Sequence, residues 1–113
     1  MIAAAPQVLQ NPCCEFINRL PWGFFLVVHI ALFAVAVFLA YRSFEVGGQG
    51  LGWGFSLFAL AEAMYATYHV NVTQFLFAHT VAEVLDGLAF VVLFAAAVGR
   101  AGVRGAERAL GAA

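Results

Sequence analysis

Formal charge is missing from four long stretches of this chain: between Arg19 and Arg42, Glu45 and Glu62, Glu62 and Glu83, and Asp86 and Arg100. Phe, Leu, Val and Ala fill most of that length, and this restricts the fold more than any motif does. About 20 apolar residues in a helix cross a hydrocarbon core of roughly 30 Å. Inside lipid only a helix or a closed barrel satisfies its own backbone. The expected fold is therefore an all-α integral membrane protein with three transmembrane helices. The first covers 21–41 and the second 51–70. The third begins between 73 and 79 and ends near 99.

Composition agrees. Hydrophobic residues make up 65% and charged residues 10%, against roughly 45–50% and about 25% in a soluble domain. The five basic residues are all Arg, and the net charge is −1. A nucleic-acid binder needs a dense basic face, so that class is excluded. A chain of 113 residues is one domain, and we divide it into a surface arm (1–20), a three-helix membrane domain (21–100) and a basic C-terminal tail (101–113).

The arm carries Pro6, Pro12, Glu15 and Arg19. Its charge follows its apolar start, the reverse of a secretory signal. It is expected to lie on the membrane surface or on a partner. Cys13 and Cys14 are adjacent, so a bond between them would be strained. As a soft-metal pair they would still lack ligands.

Pro21 suits the first turn of a helix. Trp22, Tyr41 and Trp53 suit the membrane interface. Ala31, Ala34, Ala36 and Ala40 permit close helix approach. Gly47, Gly48 and Gly50 break the chain between the first two helices, with no Gly-Lys-Ser/Thr to make a phosphate loop. Asn71-Val72-Thr73 matches a glycosylation sequon but reads better as a tight connection. Arg100, Arg104 and Arg108 are spaced i, i+4, i+8, one stripe of a helix suited to anionic headgroups or plain solvent. The first loop and the tail hold Arg42, Arg100, Arg104 and Arg108, while the opposite side holds Arg19. Positive-inside thus places the C-terminus in the cytoplasm and the N-terminus outside. The expected location is a prokaryotic plasma membrane.

The functional candidates are the polar residues inside the apolar helices: His29, Glu62, His69, His79, Glu83 and Asp86. Such residues are expensive in a membrane and mark pathways or sites. At about 1.5 Å per residue, His29, Glu62 and Asp86 each fall roughly 10–12 Å below the outer surface. Glu83 lies one turn higher, with His69 and His79 near the interface. Glu62 and His69 share a face, and so do His79, Glu83 and Asp86. No Arg or Lys lies within the helices, so Glu62 needs a partner, and His29 and Asp86 are the ones at its depth. Tyr65 and Tyr68 are further hydrogen-bonding neighbours.

Three chemistries suit this set. The first is structural: the network joins helices to each other or to a larger assembly. The six residues are also candidate ligands for a transition metal, because carboxylate with imidazole suits zinc, iron or copper; the Glu-x-x-His pair of bundle di-iron proteins is absent. An Asp/Glu/His chain is also the material of a proton or quinone pathway. A haem between two histidines fits poorly, since His29 is deeper than the others. A single-ligand haem or pigment at His29 remains open. Three helices give little interior volume, so partner chains or copies of this one are expected to complete any site. The size and layout resemble those of many small subunits of respiratory or photosynthetic complexes, in architecture alone. The expected function is a small accessory subunit of an energy-converting or transport complex, packed against other membrane subunits and the bilayer. The competing class is a metal-binding or proton-relaying homo-oligomer, an enzyme or carrier in its own right.

Overall fold

A computed structural model describes residues 20–112. The arm over 1–19, with both cysteines, lies outside the described residues. Three helices follow in order: α1 (Trp22–Glu45), α2 (Gln49–His69) and α3 (Phe75–Gly111). No strand is present among the described residues. α1 and α3 are long and apolar enough to cross a membrane, by length and composition. α2 is less apolar, diluted by Gly50, Gly52, Gly54, Ser56, Glu62, Thr67 and His69.

The elements outrun their expected limits. α1 continues one turn past Tyr41 to Glu45, because Arg42, Ser43 and Phe44 carry no helix breaker. α3 does not stop near 99: Gly99, Gly102 and Gly105 are isolated among Ala, Val and Arg. A single helical Gly costs only about 1 kcal/mol relative to Ala, too little to end a helix by itself. The tail from 101 is therefore the continuation of α3, ending at Gly111.

Both connections are built the same way. Gly47, at φ 73°, follows the end of α1. Its N–H donates to the Phe44 carbonyl at 3.1 Å, and the Gly48 N–H donates to the Ser43 carbonyl at 2.7 Å. This is a Schellman ending, which asks for a left-handed residue just past the helix. α2 repeats it with Asn71 at φ 59°. The Asn71 N–H reaches the Tyr68 carbonyl at 3.0 Å and the Val72 N–H the Thr67 carbonyl at 2.9 Å. Thr67 and Thr73 close the turn through a 2.8 Å bond between their hydroxyls. The Asn of the apparent sequon thus has a backbone reason, since Asn tolerates the left-handed region better than most residues.

Short turns make antiparallel neighbours. Contacts along α1 and α2 run in opposite directions, from Phe44–Trp53 at one end to Phe25–His69 at the other. α2 is the middle member, packing on both α1 and α3, which make no close backbone approach to each other. Its two faces are lined with small residues. A Cβ at Gly50 would lie 2.8 Å from that of Ala96, and one at Gly54 would lie 2.5 Å from Leu93 Cγ. On the other face a Cβ at Gly52 would strike the Phe44 ring. Among the described residues the buried apolar side chains are all alanines: Ala36, Ala40, Ala59, Ala61, Ala78, Ala82 and Ala89. Of the four alanines expected at helix contacts, Ala36 and Ala40 are buried, while Ala31 and Ala34 face outward. Large side chains point away, Leu76, Phe90 and Phe94 being more than 70% exposed. Ser56 and Thr80 bond back to the carbonyls of Gly52 and Leu76, so their hydroxyls need no outside partner.

Candidate functional site

Glu62 is the only charged residue buried among those described, at 4% exposure. It sits on the α2 face that meets α1. There its Oε2 lies 2.7 Å from His29 Nδ1. Either Nδ1–H donates to the carboxylate, or a protonated Glu62 donates to a bare Nδ1. In both cases a buried polar group is satisfied across the helix interface, as it must be in an apolar interior. The expected pairing of Glu62 with a residue of like depth is therefore met by His29.

The His29 ring also stacks on Tyr65, with centroids 4.9 Å apart and planes 21° apart. It stacks on His69 at 5.3 Å and 24°. Phe25 continues the stack onto His69 at 6.1 Å and 7°. The position of His69 corrects one expectation, that it lies well above His29. Helical side chains lean toward the N-terminus of their own helix. In an antiparallel pair His29 leans toward the start of α1 and His69 leans back from the end of α2, so the rings converge. They meet face to face, whereas two axial ligands would both aim nitrogens at one iron.

α3 brings the third imidazole. His79 packs against Phe75 at 4.0 Å and against the edge of Tyr65 at 4.9 Å. Tyr68 fills the space between, 5.1 Å from His69 and 5.2 Å from Phe75. These rings, with Leu20, line an open cavity of about 730 Å³ at the end of the helices where α2 turns into α3. A sizeable cavity was not expected of three helices. It arises because α1 and α3 stay apart, leaving a cleft over the end of α2.

The remaining candidates divide. Asp86 is half-buried, and its Oδ1 is buried without a hydrogen-bond partner among the described residues. Glu83 is exposed on α3, so the shared face of His79, Glu83 and Asp86 is only partly turned inward. A helix rotates about 100° per residue, and Glu83 falls at the edge of the stripe that His79 and Asp86 define. No group of three or more His, Cys, Asp or Glu among the described residues is placed to hold a metal ion.

Phe25 and Phe75 belong to the site and escaped the sequence reading. A signal for them exists. Each histidine in the chain has an aromatic residue four positions earlier: Phe25 before His29, Tyr65 before His69, Phe75 before His79. At that spacing the two side chains lie on one helix face. Each helix thus contributes one aromatic–histidine pair to the same cleft.

A second cavity, of about 590 Å³, lies at the opposite end between the first turn and Arg100, Val103, Arg104 and Glu107 of α3. Gly48 is buried there beneath the Arg100 guanidinium. Arg42 is paired with Glu45 at 2.6 Å on the exposed side of α1.

No protein-family model, no curated protein and no solved structure matches this chain.

Proposed function

We propose that this chain is a small integral-membrane accessory subunit of a larger energy-converting or transport complex. All three helices cross the bilayer, with the N-terminus outside and the C-terminus cytoplasmic. The observation that carries this reading is the inverted distribution of size. Alanine and glycine fill the helix seams, and large apolar side chains stand outward on every helix. In water such a surface would aggregate. In lipid, close packing of small residues holds helices together, and the outward side chains meet acyl chains or other subunits.

A layer of three helices, with two of them apart, offers two broad faces to neighbours. α2, whose apolar run is the most interrupted by Gly, Ser, Thr and Glu62, is sheltered between the other two, which supports its place in the membrane. The His29–Glu62 bond adds a polar tie between α1 and α2.

Mild-detergent extraction of the tagged full chain from its native membrane tests the proposal. The expected result is co-migration with defined membrane partners in a larger assembly. Recovery from native membranes as a monodisperse homo-oligomer without partners would overturn it, in favour of an independent carrier or enzyme.

A further inference from the structure

The aromatic cleft is too well furnished for packing alone. We propose that it binds a quinone-class ring, a flat membrane-dissolved molecule whose ring carries carbonyls when oxidised and hydroxyls when reduced. The inference deepens the membrane reading above and rests on it for one thing, arrival of the ligand through the bilayer.

Shape is the first argument. A volume of about 730 Å³ lies within the roughly 300–1,000 Å³ of small-molecule sites. The lining is aromatic: Phe25, His69, His29 and Tyr65 stack on one another, and Tyr68, Phe75 and His79 stand tilted or edge-on beside them. A planar ring meets such a lining through offset or edge contacts.

Chemistry is the second. Glu62 occupies His29 Nδ1. The ring nitrogen left over is Nε2, on a side chain that lines the cleft. When the His29–Glu62 pair holds one proton, it sits on Nδ1 and Nε2 is a bare acceptor. When the pair holds two, Nε2 carries N–H and is a donor. The acceptor form suits a quinol hydroxyl, and the donor form suits a quinone carbonyl. One proton on the pair therefore switches the site between the two forms of the same ring. A carboxylate behind a histidine is the arrangement that fixes which nitrogen is available. Glu62, at 4% exposure, is held out of water's reach, so its bond to His29 is not diluted by solvent.

Photoaffinity labelling tests this without isolating the chain. Native membranes holding the tagged full-length protein are irradiated with an azido-quinone, and labelled peptides are mapped by mass spectrometry. We expect label within 20–29 or 65–79, competed away by unlabelled short-tailed quinone. Label confined to other parts of the chain, or none that competes, overturns the proposal. A second measurement follows the carbonyl stretch of bound short-tailed quinone by infrared difference spectroscopy. His29→Asn, whose amide reaches the place of Nδ1 beside Glu62 but not that of Nε2, should abolish its hydrogen-bond shift and weaken binding about tenfold, the effect of losing one charge-assisted hydrogen bond. Phe25→Leu should weaken binding while keeping the shift. Arg104→Gln, at the far end, should change neither. Both variants binding like the wild type, with helical content intact, would also sink it. The subunit reading fails separately: a partner-free homo-oligomer that takes label overturns that reading and leaves this one, and an assembled subunit that takes none does the reverse.

Discussion

Glu62 shows how one side chain decides what its neighbours must be. A carboxyl group in an apolar interface needs a hydrogen bond, and the geometry gives it one at 2.7 Å from His29. Removing the carboxyl without replacing its bond strands Nδ1 in a half-buried ring. Leaving a buried donor or acceptor unsatisfied costs about 1–3 kcal/mol. We therefore expect Glu62→Leu to lower the unfolding midpoint in detergent, followed by helical circular dichroism. Glu62→Gln keeps the shape and one bond to His29, and should fall within about 1 kcal/mol of the wild type. A Leu variant as stable as the Gln variant would show that the bond contributes nothing to the fold. The pairing was legible in the sequence, because depth along a helix is nearly linear in residue number. The stacking of His29 on His69 was not. It depends on the lean of side chains in an antiparallel pair, which counting residues ignores.

At the level of the helix, the seams of α2 carry the association. Gly54 allows Leu93 to approach so closely that an added Cβ would lie 2.5 Å from Leu93 Cγ and 3.3 Å from its backbone nitrogen. The backbone cannot yield as a side chain can. Gly54→Ala should cost about 1–3 kcal/mol, the usual penalty of overpacking. Gly87 in α3 has nothing within 4 Å of the corresponding point. Gly87→Ala should be neutral or stabilising by about 0.5–1 kcal/mol, from helix propensity alone. Thermal unfolding of both variants under one detergent condition checks the pair, and equal effects would discredit the seam. The existence and order of the three helices were legible from the charge-free stretches and their breaks. Their ends were less so. Residues 43–45 read as the start of the loop over 43–50 because Ser43 and Glu45 are polar, yet nothing in them opposes helix until Gly47. Gly99 looked like a stop because it follows the apolar run, yet its backbone does not turn left-handed there and α3 runs through it. Which alanines face inward was also hidden, since Ala31, Ala34, Ala36 and Ala40 are alike to the eye and only rotation separates them.

For the whole molecule, the charge pattern and the length of α3 are connected. Its 37 residues give a rod of about 55 Å, far longer than a hydrocarbon core of roughly 30 Å. The surplus carries Arg100, Arg104 and Arg108, so that end must stand in water or among headgroups. The proposed topology puts it in the cytoplasm. A reporter active only in the cytoplasm, fused after Ala113, should be active at normal expression, and a silent fusion would reverse the assignment.

The separation of α1 from α3 has a consequence in time as well as in space. Ribosomes make this chain from its N-terminus, so His29 emerges 33 residues ahead of Glu62. Because the partner of Glu62 lies on α1 and not on α3, the acid never has to wait for a later helix. It arrives to find its base already made, and the hairpin of α1 and α2 can close its polar contact before α3 has left the ribosome.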